Sequence, residues 1–194
     1  MVCTLLVGGL LSSKANLFEY DTILSGAAES PANASPGTGT ADVIYDDILH
    51  TLQIQITFSG LLGTTTASHI HAATANAGTG TSGVATTTPY FAGFPIGVSS
   101  GTYSNRLDLT LASSYSASYI TANGGTTALA EAALIAAING DKAYLNIHST
   151  VSPGGEIRGF LTPVPTPEPS SLALLGLGTA GWAACGWRKK RVIN

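Results

Sequence analysis

Thr51-Leu52-Gln53-Ile54-Gln55-Ile56-Thr57-Phe58 alternates apolar and polar side chains without a break. In an extended chain successive side chains point to opposite faces, so Leu52, Ile54, Ile56 and Phe58 share one face and Gln53, Gln55 and Thr57 the other. A period of two predicts a strand with one buried and one wet face. Working outward, Asp46 to His50 reads as a hairpin turn back to a strand over Ala41 to Tyr45, and Pro31 to Thr40 as a turn-rich loop. Leu17 to Leu24 is a further strand, as are Ser68 to Ala72, Arg106 to Leu111, Ala143 to Ser149 and Glu156 to Leu161. Thr127 to Ile138 departs from this pattern. It is Ala-rich, with Leu134, Ile135 and Ile138 at helical spacing, Thr126 or Thr127 to cap it and Asn139-Gly140 to stop it. Short strands at intervals with one inserted helix predict a mainly all-β, antiparallel sandwich or barrel.

The charge divides sharply along the chain. Of eight Lys and Arg, only Arg106, Lys142 and Arg158 fall in the central domain, residues 16–162, against ten acids from Glu19 to Glu156, so its net charge is about −7. An acidic surface repels a phosphate backbone, which weighs against nucleic acid as a partner. Cys3 and Cys185 both lie outside the domain. The domain therefore has no disulfide, thiolate site or cysteine nucleophile to draw on, and no Gly-x-Ser-x-Gly elbow appears.

The ends read differently. Val2 to Leu11 is a short apolar run ahead of Ser13-Lys14-Ala15, which gives residues 1–15 the shape of a signal peptide, with only the terminal amine in place of a basic n-region. Residues 163–194 carry Pro167-Glu168-Pro169, then an apolar run of sixteen residues from Leu172 to Trp187, then Arg188-Lys189-Lys190-Arg191. As a helix the run spans about 24 Å at about 1.5 Å per residue. That is short for a hydrocarbon core of about 30 Å, and Gly176, Gly178, Gly181 and Gly186 weaken it further. The four cations favour the cytoplasmic side. This order of parts resembles the PEP-CTERM sorting signal of exported bacterial proteins. The resemblance implies an exosortase-type processing protease as a partner and transient contact with the inner membrane through a C-terminal hydrophobic helix. It also implies a final place at the cell surface or outside the cell.

His69-Ile70-His71 is the strongest candidate for chemistry. On a strand these two imidazoles share a face about 6.6 Å apart at Cα, with Ile70 turned the other way. His148, in Leu145-Asn146-Ile147-His148, is the third candidate. Two readings stand side by side: neutral imidazoles that hold loop carbonyls, or a mononuclear copper or zinc site with an open position. Glu156 and Arg158 share a strand face as well. They read as an exposed ion pair, or with Arg158 as a clamp on loop carbonyls. Gly154-Gly155 after Pro153 reads as a tight turn.

Ser68-His69-Ile70-His71, Leu145-Asn146-Ile147-His148 and Pro153-Gly154-Gly155-Glu156-Ile157-Arg158-Gly159 together resemble the CHRD domain, over roughly Asn16 to Leu161. The resemblance implies an immunoglobulin-like or superoxide-dismutase-like β-sandwich with no established enzymatic activity. The expectation is an envelope or matrix protein, not an enzyme, with a structural or binding role in surface material such as exopolysaccharide or with other envelope proteins. The histidine pattern is also similar to the copper ligands of Cu/Zn superoxide dismutase, which implies copper on His69, His71 and His148 and Arg158 as the cation that attracts an anion. The bridging histidine and cysteine pair of that family have no counterpart here.

Overall fold

A computed structural model gives the structure of the chain and describes residues 15–165. The signal-like segment up to Lys14, the sorting residues Pro167, Glu168, Pro169, Arg188, Lys189, Lys190 and Arg191, and the apolar run between them lie outside the described residues. Among the described residues no helix is long and apolar enough to cross a membrane.

Eight strands form the scaffold: β1 (Leu17–Ser25), β2 (Thr38–Asp46), β3 (Thr51–Ser59), β4 (Thr65–His71), β5 (Gly101–Asp108), β6 (Tyr144–Ser149), β7 (Ile157–Phe160) and β8 (Thr162–Pro163). They pair antiparallel into one curled sheet in the order β4-β6-β7-β1-β2-β3-β5, with β8 on β1. The alternating stretch is β3, and Leu52, Ile54, Ile56 and Phe58 are all buried on one face. Register carries that face across the sheet: Val43 lies opposite Ile54, Tyr45 opposite Leu52 and Tyr103 opposite Ile56. Ile70, Leu145, Ile147 and Ile157 close the same core from the other end of the sheet. The turn at 47–50 places His50 at φ 52°, and the Asp46 carboxylate accepts from the Ile48 and Leu49 amides. Phe91, Phe94 and Tyr103 pack as core aromatics, while Tyr90 is partly exposed.

The expected helix is α2 (Thr127–Asn139), capped by the Thr126 hydroxyl, which accepts from the Leu129 amide. It buries Ala130, Leu134, Ala137 and Ile138 in the core. Polar pins hold it to the sheet as well. The Tyr20 hydroxyl donates to Asn139 Oδ1 at 2.8 Å and the Tyr45 hydroxyl to Glu131 Oε1 at 2.7 Å.

One inserted helix was expected, and among the described residues there are two. The second, α1 (Ala117–Ala122), is only six residues long and contains β-branched Ile120 and Thr121. Its sequence has too few turns to display a period. Ser116 accepting from the Tyr119 amide starts it, and burial of Tyr119 ties it to the core.

Candidate metal centre

On β4 and β6 the residues facing away from the core ought to be wet. Ile70 faces the core between His69 and His71, and Leu145 and Ile147 do so between Tyr144, Asn146 and His148. The opposite face is nevertheless covered: His69 is 6 % exposed, His71 8 %, Asn146 3 % and Arg158 3 %. The strap 79–84, the segment 26–35 and the turn 150–155 supply the cover through side-chain and backbone contacts. A second buried layer made of polar groups costs desolvation that an apolar layer would not. That cost is the first sign of a site.

Antiparallel register brings the histidines together. His71 lies opposite Tyr144, His69 opposite Asn146, and His148, opposite Ala67, falls on the diagonal beside His69. The His69 ring is centred 4.7 Å from each of the other two, nearly perpendicular to His71 and steeply inclined to His148. One ring nitrogen from each lies within 4.8 Å of the other two. His148 is only partly buried as a residue, yet its inward nitrogen is sealed from solvent.

Backbone carbonyls set the tautomers. His71 Nδ1 lies 2.8 Å from the Ser82 carbonyl and His148 Nδ1 2.9 Å from the Pro153 carbonyl. A carbonyl only accepts, so both Nδ1 atoms carry the proton and both Nε2 atoms present a lone pair. Those Nε2 atoms and His69 Nδ1 are buried and have no hydrogen-bond partner. Burial, followed by repulsion from the other two rings, depresses His69 to about 3. Burial likewise lowers His71 to about 4 and moves His148 down. All three are therefore neutral at pH 7, the form a metal requires.

The residues fit a metal. Ring nitrogens around an ion at about 2.0 Å stand about 3.4 Å apart. Closing from the observed separations moves each nitrogen by less than about 0.8 Å, within side-chain adjustment. Holding loop carbonyls and offering metal ligands, the two readings of these histidines, are met by opposite nitrogens of the same rings. The fourth histidine, His50, is half-exposed and paired at 2.9 Å with Glu131, away from this cluster.

Arg158 and Glu156 are buried rather than exposed, and they do not pair with each other. Arg158 Nε donates to the Ala28 carbonyl at 2.6 Å and its Nη1 to the Gly80 carbonyl at 3.0 Å, tying two covering segments together. Its counter-charge is Glu29 at 3.8 Å, whose carboxyl burial raises to about 7 against the pull of Arg158. The guanidinium sits 4.6 Å over the Tyr144 ring, and Tyr144 stacks at 4.6 Å on His71. Glu156 instead accepts from the Leu62 and Gly63 amides and the Ser35 hydroxyl; burial pushes its carboxyl up, but Ser149 together with these three donors holds it below the usual range. Sequence reasoning missed Glu29, Tyr144, Asn146 and Ser82. Tyr144 and Asn146 share parity with His148 along β6 and could have been found by it. The other two belong to irregular segments whose position no periodicity encodes.

The PEP-CTERM protein-sorting motif matches residues 165–190. It marks an exported protein addressed to an exosortase, with membrane anchoring before processing. No curated protein and no solved structure matches the chain. The CHRD domain model matches residues 20–161, a stretch that holds most of the strands, both helices and all three histidines. By the extent of that match, the chain belongs to the CHRD domain family.

Proposed function

We propose that the chain is a metal-binding component of the cell envelope, exported and released by its sorting tail into surface material such as exopolysaccharide. In this reading it holds one copper or zinc ion on His69, His71 and His148 and catalyses no reaction of its own. One observation carries it: three buried ring nitrogens without hydrogen-bond partners converge, two of them with tautomers set by backbone carbonyls. A purely structural use of the histidines accounts for the Ser82 and Pro153 contacts but leaves three ring nitrogens buried and unpaired, each costing about 1–3 kcal/mol. A metal satisfies all three at once. The acidic domain, at a net charge of about −7, adds a field that draws cations.

Native mass spectrometry of the full-length chain incubated with copper or zinc tests the reading. About one ion per chain, lost in His71→Ala, is the expected result. No bound metal at micromolar free ion, or unchanged loading in that variant, overturns it.

A further inference from the structure

The chemistry around the three nitrogens narrows the choice of ion, on the footing of the metal-binding reading above. We infer that the site selects copper in its +1 state over divalent zinc and divalent copper. Three observations carry this.

First, the donor set is uncharged. Among the described residues only the three histidines gather at this point, with no carboxylate or thiolate in the group. Imidazole nitrogen suits copper as it suits zinc, so donor type alone leaves the charge of the ion to decide.

Second, the surroundings do not compensate a double charge. Both buried carboxylates of this layer are already committed: Glu29 faces Arg158 at 3.8 Å, and Glu156 accepts from the Leu62 and Gly63 amides and the Ser35 hydroxyl. The cost of burying an ion grows with the square of its charge, so a divalent ion pays about fourfold the penalty of a monovalent one in the same neutral cage. Arg158 adds to this. Its guanidinium lies over Tyr144, which stacks directly on the His71 ring, so the cationic member of the Arg158–Glu29 pair stands behind one ligand.

Third, the coordination number is complete at three for a monovalent copper ion. Zinc on three protein ligands keeps a fourth position for water. Here the strap carrying Ser82 and the turn carrying Pro153 hold the rings from outside, and the inward nitrogens are sealed from solvent. Asn146 Oδ1, buried and without a partner opposite His69, is the one group placed to receive such a water. The experiment must therefore see the fourth ligand directly.

The test uses the full-length chain. Copper is supplied anaerobically with ascorbate, which gives the single electron that converts Cu(II) to Cu(I), and the protein competes with bicinchoninate, a Cu(I) chelator. Zinc affinity is measured in parallel against a zinc-binding dye, and X-ray absorption counts the ligands. The expected result is Cu(I) held more tightly than zinc, with three nitrogen scatterers and no fourth. Zinc bound as tightly as Cu(I), or a fourth oxygen on the copper, overturns the selectivity and leaves metal binding standing. Retention of neither ion overturns the metal-binding reading itself.

Discussion

Acidification of the metal-free chain should expose how much stability the histidine cluster controls. His69 and His71 have folded values of about 3 and about 4, against about 6.5 in an unfolded chain. Below pH 6.5 the unfolded state binds protons that the folded state refuses, so stability is complete above pH 6.5 and falls as pH drops towards the folded values. Each group contributes about 1.4 kcal/mol per pH unit in this window. Both rings are nearly sealed from solvent, so the discount for screening is small. At pH 4.5 the two together cost about 5 kcal/mol, with His148 adding in the same direction. A domain of this size has about 5–15 kcal/mol in all, so the apo protein should be close to unfolding at pH 4.5. The assay is urea unfolding of chelator-treated protein at half-unit steps from pH 7.5 to 4.5, in parallel with a His69→Gln, His71→Gln variant. Carboxylates titrate in both proteins, so the readout is the difference in slope, which should be at least about 2 kcal/mol per pH unit near pH 5.5. Equal slopes would refute the claim that the cluster is buried and neutral.

Other perturbations separate the roles of the neighbours. Glu156→Gln replaces an acceptor of three hydrogen bonds with a group whose NH2 turns a donor towards at least the Gly63 amide. It should cost about 2–4 kcal/mol in urea unfolding. Arg158→Lys keeps the charge but not the fork that bridges the Ala28 and Gly80 carbonyls. Amide exchange should rise in residues 26–30 and 78–83 ahead of the core strands, a pattern seen by mass spectrometry. At Gly155, φ is 132° and an added Cβ would stand 2.6 Å from the Asn146 amide and 2.8 Å from Glu29 Oε1. Gly155→Ala should therefore lower stability by about 1–3 kcal/mol, whereas Gly154→Ala, with open space around it, should stay within about 0.5 kcal/mol. His50→Ala lies outside the cluster and should leave metal stoichiometry unchanged in native mass spectrometry.

Most of the sheet was legible because its strands are half-buried. The alternation in β3 and its neighbours records directly which face meets the core, and α2 was readable from thirteen residues of helix formers with a cap and a stop. The short α1 was not readable, since six residues held by Ser116 and Tyr119 carry no period. The same limit applied to the site. His69 and His71 could be assigned to one face by parity alone, but parity left Glu156 and Arg158 open between an exposed ion pair and a clamp of Arg158 on loop carbonyls. Covering segments from three other parts of the chain bury that face and place the Ala28 and Gly80 carbonyls on Arg158.

Local sequence by itself determined most of the strands, though β5 runs Gly101–Asp108 where Arg106 to Leu111 was expected, and the longer helix, the shared face of His69 and His71, the absence of cysteine from the domain and the order of parts in the tail. These follow from side-chain periodicity, propensity and composition, which act over a few residues. Only the tertiary structure decided that His148 joins the other two, because that depends on the register between β4 and β6, strands separated by more than seventy residues of chain. It also decided which nitrogen of each ring is free. That choice belongs to the carbonyls of Ser82 and Pro153, whose positions are set by packing rather than by the residues beside them.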